Sequence, residues 1–85
     1  LLDIAYNSLR KRVANTLLTL QKKYNVADEP NFSIQLSRED LANMAGTATE
    51  SVIRTLSDFK SENLIALQGS RITILAKDKL QSLVN

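Results

Sequence analysis

Residues 47–62, TATESVIRTLSDFKSE, sort onto two sides of one helix, and that register constrains this chain more than any other feature. At about 3.6 residues per turn, Val52, Leu56 and Phe59 fall on one stripe, while Glu50, Arg54, Ser57 and Ser61 fall near the opposite one. A helix so divided has an apolar side to bury and a polar side left to meet a ligand. Just before it, SREDLANMAG (residues 37–46) spells a shorter helix closed by Gly46. Two helices across a tight turn form the pattern of a helix-turn-helix, and its second helix is expected to enter DNA.

The chain has 85 residues, 44% of them apolar, which suits one domain with a modest core. With no cysteine there is neither a disulfide framework nor a thiolate metal site; the composition is compatible with a reducing cytoplasm, where the chain is expected to act. The absence of histidine removes the commonest general base and the commonest metal ligand. Carboxylates at Asp3, Asp28, Glu29, Glu39, Asp40, Glu50, Asp58, Glu62 and Asp78 assemble no acid–base pair, so no catalytic residue is expected and the chain does not read as an enzyme. No apolar run approaches the roughly 18 to 20 residues that span a bilayer, and none opens the chain as a signal peptide would. Because the sequence opens on Leu1 inside a helical pattern already under way, a preceding segment is expected. The net charge of +2 is too slight to announce nucleic-acid binding, which must be argued from where the charges sit.

Over residues 1–24 the set Leu2, Tyr6, Leu9, Val13, Leu17, Leu20 and Tyr24 recurs at three- and four-residue steps and predicts a long amphipathic helix. Ile4 and Leu18 fall off that stripe, and read either as ordinary exposed apolar residues or as contacts with another domain or subunit. Arg10, Lys11 and Arg12, with Lys22 and Lys23, make a solvated belt, one member of which is a candidate phosphate contact. Residues 25–31 read as a loop, and Phe32, Ile34 and Leu36 alternate with Ser33 and Gln35 as a short half-buried strand. Ser37 is placed as an N-cap with Asp40 three residues on; the helix over 38–45 turns Leu41, Met44 and Ala45 inward, and Gly46 ends it. Thr47 opens the next helix, over 48–62, which stops near Asn63 in a left-handed conformation. Segments flanking Gly69-Ser70 predict a hairpin over 64–75, a wing in this context, and Leu80, Leu83 and Val84 predict a closing helix over 77–84. The fold class is therefore mostly α with a small β-hairpin, a winged helix-turn-helix.

The stretch LSREDLANMAGTATESVIRTLSDFKSENLIALQGSRITIL, residues 36–75, resembles the winged helix-turn-helix of the cyclic-AMP receptor protein and fumarate-nitrate regulator family, and LRKRVANTLLTL resembles the helix that precedes it there. Residues 50–54 are the most specific part of the likeness. The resemblance implies the carboxy-terminal part of a bacterial transcription regulator that docks its recognition helix in the major groove. It also implies an upstream β-roll for a cyclic nucleotide or other effector, with no cofactor in this fragment. A homodimer and a contact with RNA polymerase are implied for the full-length protein, the isolated fragment being a monomer.

Glu50 and Arg54 emerge side by side from the helix. A carboxylate accepts from cytosine N4 and a guanidinium grips guanine O6 and N7, so the pair is suited to adjacent base pairs, as the matching residues of the family do. The same residues also suit a capping box from Thr47 to Glu50 and a surface salt bridge, though base reading is the favoured role. Thr49 stands where many family members carry arginine; its hydroxyl or methyl suits a base edge, and the departure leaves the operator sequence open. Candidate phosphate contacts are Ser37, Arg38, Thr47, Ser51, Ser57 and Arg71, with Lys60 flanking the helices. The competing reading is a winged helix used for protein contact, which predicts an apolar or acidic outer face on residues 47–62.

Overall fold

The computed structural model describes residues 2–25 and 31–84, with side chains from Tyr6 onward. The elements are α1 (Leu2–Tyr24), β1 (Ser33–Gln35), α2 (Arg38–Ala45), α3 (Thr49–Ser61), β2 (Ile65–Gln68), β3 (Arg71–Ile74) and α4 (Lys77–Val84). The strands form one antiparallel sheet in the order β1-β3-β2. Four helices and this small sheet make the mostly helical winged helix-turn-helix that the pattern predicted.

The local chemistry behind α2 and α3 is that of their ends. The Ser37 side chain accepts from the Asp40 N–H at 3.0 Å, which satisfies one of the free donors that every helix start leaves. Gly46 closes α2 at φ 72 and ψ 40, a left-handed conformation that costs glycine nothing, and the Thr47 N–H reaches back to the Ala42 carbonyl. That bond uses Thr47 to close α2 rather than to open α3. The cap of α3 is instead Ala48, with no side-chain hydrogen bond, so the helix begins one residue later than expected. Asn63, at φ 62, ends α3 as Gly46 ends α2, and the Leu64 N–H returns to the Phe59 carbonyl.

β2 and β3 are joined through Gly69-Ser70, with positive φ at Gly69 and not at Ser70, as a turn with glycine first requires. A lone hairpin is marginal in water, and here β1 supplies the third strand, with Ile34 opposite Ile72 and Gln35 opposite Arg71. The pairing runs past the strand ends, because Ile74 donates to Phe32 and Leu36 donates to Ser70.

The core is one cluster. Val13, Ala14 and Leu17 of α1, Leu41 and Ala42 of α2, Val52, Leu56 and Phe59 of α3, Ile65, Ile72 and Ile74 of the sheet, and Leu80 of α4 are all buried. Removing such side chains from water is the main favourable term available to a chain of this size. The α3 stripe is thus buried as its spacing predicted. Elsewhere the sequence reading needs correction. Met44 is 52% exposed and Ala42 takes its place inside, since α2 is short and only its Leu41–Ala42 side meets α1 and α3. Tyr24, at 56% exposure, projects from the last turn of α1 beyond the core. Leu18 is partly buried against the core, in a cleft it shares with Val84 of α4. The Ile4 side chain lies outside the described residues, as do residues 26–30 of the loop expected over 25–31.

Candidate nucleic-acid interface

The outer face of α3 is polar and largely uncommitted. Glu50, Arg54, Ser57 and Ser61 are exposed, with Ser61 bonded back to the Asp58 carbonyl at 2.9 Å. Among the described residues the Glu50 side chain makes no hydrogen bond or ion pair, so neither the capping box nor the Glu50–Arg54 salt bridge forms. The reason for the first is the Ala48 cap; the reason for the second is that Arg54 turns to Tyr6, its guanidinium carbon 5.4 Å from the ring centroid. Thr49 and Ser51 are half-buried in the first turn. Ile53, 50% exposed, stands beside Arg54 and was not picked out from the sequence, where a single apolar residue off the stripe carries no signal.

A second group gathers at the wing. Arg38, at the start of α2, donates through Nη2 to the Gly69 carbonyl at 2.9 Å, while the Leu36 N–H donates to the Ser70 carbonyl at 3.0 Å. Ser37 and Arg38 are therefore held against the tip that carries the exposed Arg71, which pairs across the sheet with Gln35 and Gln68. Arg38 ties the helix-turn-helix to the wing, and among the described residues its Nη1 is buried without a partner. Thr47 is half-buried in the turn between α2 and α3, where Arg12 Nη1 approaches the Gly46 carbonyl at 3.5 Å. Of the basic belt on α1, Arg12 is thus brought to the turn between α2 and α3.

The third group is the seam between α1 and α3. The Tyr6 hydroxyl donates to Asp58 Oδ2. Arg10 donates through both terminal nitrogens to the Glu62 carboxylate, each bond 2.8 Å, and its guanidinium carbon lies 5.0 Å from the Phe59 ring centroid and 5.6 Å from that of Tyr6. These hydrogen bonds, outweighing the small cost of desolvation, hold the Glu62 carboxyl below its ordinary value of 4.5. The sequence placed Tyr6 only on the buried stripe; the available signal was that a half-buried phenol needs a partner for its hydroxyl.

An apolar groove of about 510 Å³ runs between the end of α1, β1 and the end of α2, lined by Leu20, Tyr24, Phe32, Ile34, Leu36 and Met44 among others. No helix among the described residues is long and apolar enough to cross a membrane.

Residues 11–83 match the Crp-like helix-turn-helix domain. Over 73 residues the chain is 29% identical to the cAMP-activated global transcriptional regulator CRP of Salmonella typhimurium, covering 85% of this chain and 35% of that protein. Over 82 residues it is 27% identical to the CRP-like cAMP-activated global transcriptional regulator of Mycobacterium tuberculosis, covering 94% of this chain and 37% of that one. Among solved structures, the Thermus thermophilus catabolite activator protein superposes with a TM-score of 0.83 at 25% identity, over 95% of this chain and 36% of the other. A crp/fnr-family transcriptional regulator from Eubacterium rectale superposes with a TM-score of 0.79 at 31% identity, over 88% of this chain and 32% of the other. The chain spans about a third of the length of the curated relatives it matches.

Proposed function

The chain belongs to the Crp-like helix-turn-helix domain family, and on that premise we propose that it binds double-stranded DNA in a sequence-specific manner, with α3 as the recognition helix in the major groove. The observation that carries this reading is the outer face of α3, where, among the described residues, Glu50 has no side-chain partner and Arg54 is engaged only through the face of Tyr6. In this reading Arg54 donates to guanine O6 and N7, Glu50 accepts from cytosine N4, and Thr49 meets a base edge from the first turn. Ser37, Arg38, Thr47, Ser51, Ser57 and Arg71 hold phosphates, supported by the first-turn N–H groups of α3, which have no side-chain cap.

The relatives' names describe cAMP-activated regulators, and an effector of that kind is assigned to a separate domain, not to these residues. Dimerisation and contact with RNA polymerase belong to such a longer protein. Acting in the cytoplasm on DNA, these residues need no catalytic group. A second reading, a winged helix that contacts protein, draws on the apolar groove by Tyr24 and Met44, both exposed.

The test compares a duplex that this chain selects from a random pool with a scrambled duplex of the same composition. Arg54→Ala is expected to abolish discrimination between them by removing a bidentate base contact, a loss of about 1 to 3 kcal/mol, with the fold intact. Arg71→Ala is expected to weaken both complexes alike, as loss of a phosphate contact does. Unchanged discrimination in Arg54→Ala removes Arg54 from the base-reading set.

A further inference from the structure

Four-residue steps bring two helices into register along the α1–α3 seam. Arg54 and Asp58 of α3 and Glu62 at its C-cap follow one another along one helix, while Tyr6 and Arg10 follow one another along α1. The Tyr6 ring meets Arg54 and Arg10 and, through its hydroxyl, Asp58; one turn on, Arg10 also covers Phe59 and grips Glu62. Arg54 is otherwise exposed and has no salt-bridge partner among the described residues, so the ring is what restrains its guanidinium. An aromatic ring attracts a guanidinium through its π face, and the N–H donors lie in the guanidinium plane. The contact therefore limits where the cation sits and leaves donors for another ligand.

We propose that Tyr6, on the helix that precedes the helix-turn-helix, is a specificity-positioning residue that holds the Arg54 guanidinium ready for a guanine edge. This rests on base reading by Arg54. The Tyr6 hydroxyl donates to Asp58 as well, but it is the face of the ring that restrains Arg54. Ordering a long side chain before binding removes a cost that the complex otherwise meets, and the gain appears only where Arg54 makes its contact, on the selected sequence.

Tyr6→Leu and Tyr6→Phe are tested in this 85-residue chain against the selected and scrambled duplexes, each with and without Arg54→Ala. Tyr6→Leu is expected to lower the selected-to-scrambled affinity ratio by roughly two- to fivefold, with affinity for the scrambled duplex unchanged. Tyr6→Phe keeps the ring and is expected to retain most of the ratio. In the Arg54→Ala background neither change has a further effect on it. If Arg54→Ala destroys the ratio while Tyr6→Leu leaves or raises it, the positioning role is wrong and base reading stands. If Arg54→Ala leaves the ratio intact, base reading itself has failed. Should Tyr6→Leu lower the melting temperature, the Arg54 side-chain NMR signal of the parent decides: a ring-current shift that persists in Tyr6→Phe supports the role, and its absence in the parent overturns it.

Discussion

Arg10 and Glu62 meet through two parallel N–H···O bonds of 2.8 Å, with the arginine mostly covered and the carboxylate 44% exposed. Paired with solvent on one side, such a bridge contributes a few tenths to about 1 kcal/mol. Its pH dependence has a definite sign, because the folded carboxyl is held below its ordinary 4.5. The contribution is present above that value and is lost as pH falls through the lower folded one. Glu62→Gln is accordingly expected to lower stability slightly at neutral pH and to converge with the parent once pH falls below the lowered folded value, as urea melts at neutral and acidic pH would show. A constant difference across that range would mean that the bridge is not the cause. None of this pairing was legible in the sequence, because Tyr6 and Asp58, like Arg10 and Glu62, lie 52 residues apart. What was legible was local: Val52, Leu56 and Phe59 are buried because their spacing matches the helical period, whereas Met44 failed the same reasoning at the exposed end of a helix only two turns long.

At the scale of elements, the ends of α2, of α3 and of the hairpin follow from Ser37, Gly46, Asn63 and Gly69, residue types whose backbone or side-chain chemistry acts within a few positions. The third strand could be seen as a strand but not as a partner of β3, because nothing between Ser33 and Thr73 announces that they face one another. The tie from Arg38 to Gly69 was hidden for the same reason. Ser37 separates the structural from the functional role at this corner. Ser37→Ala removes the cap and is expected to cost about 1 kcal/mol, a drop of roughly 4 to 8 °C in melting temperature. Ser37→Asp keeps a capping oxygen but adds a negative charge, so stability should hold while DNA affinity falls. If Ser37→Asp binds DNA as the parent does, Ser37 lies away from the phosphates.

For the whole molecule, a net charge of +2 gives little general attraction to DNA, so binding depends on a few cations grouped with α3 and the wing. About three or four ionic phosphate contacts correspond to a log–log salt slope near −3, and to weak binding by one copy. The most direct measurement is therefore made at low salt: an NMR titration of the isotopically labelled chain with the selected and scrambled duplexes. The account predicts shifts centred on Glu50, Arg54 and Ser57 and on the Gly69-Ser70 tip with Arg71, larger at Glu50 and Arg54 with the selected duplex. Shifts absent from α3 and the wing, with Tyr24, Phe32 and Met44 responding instead to a protein partner, would contradict it and make the apolar groove the working surface.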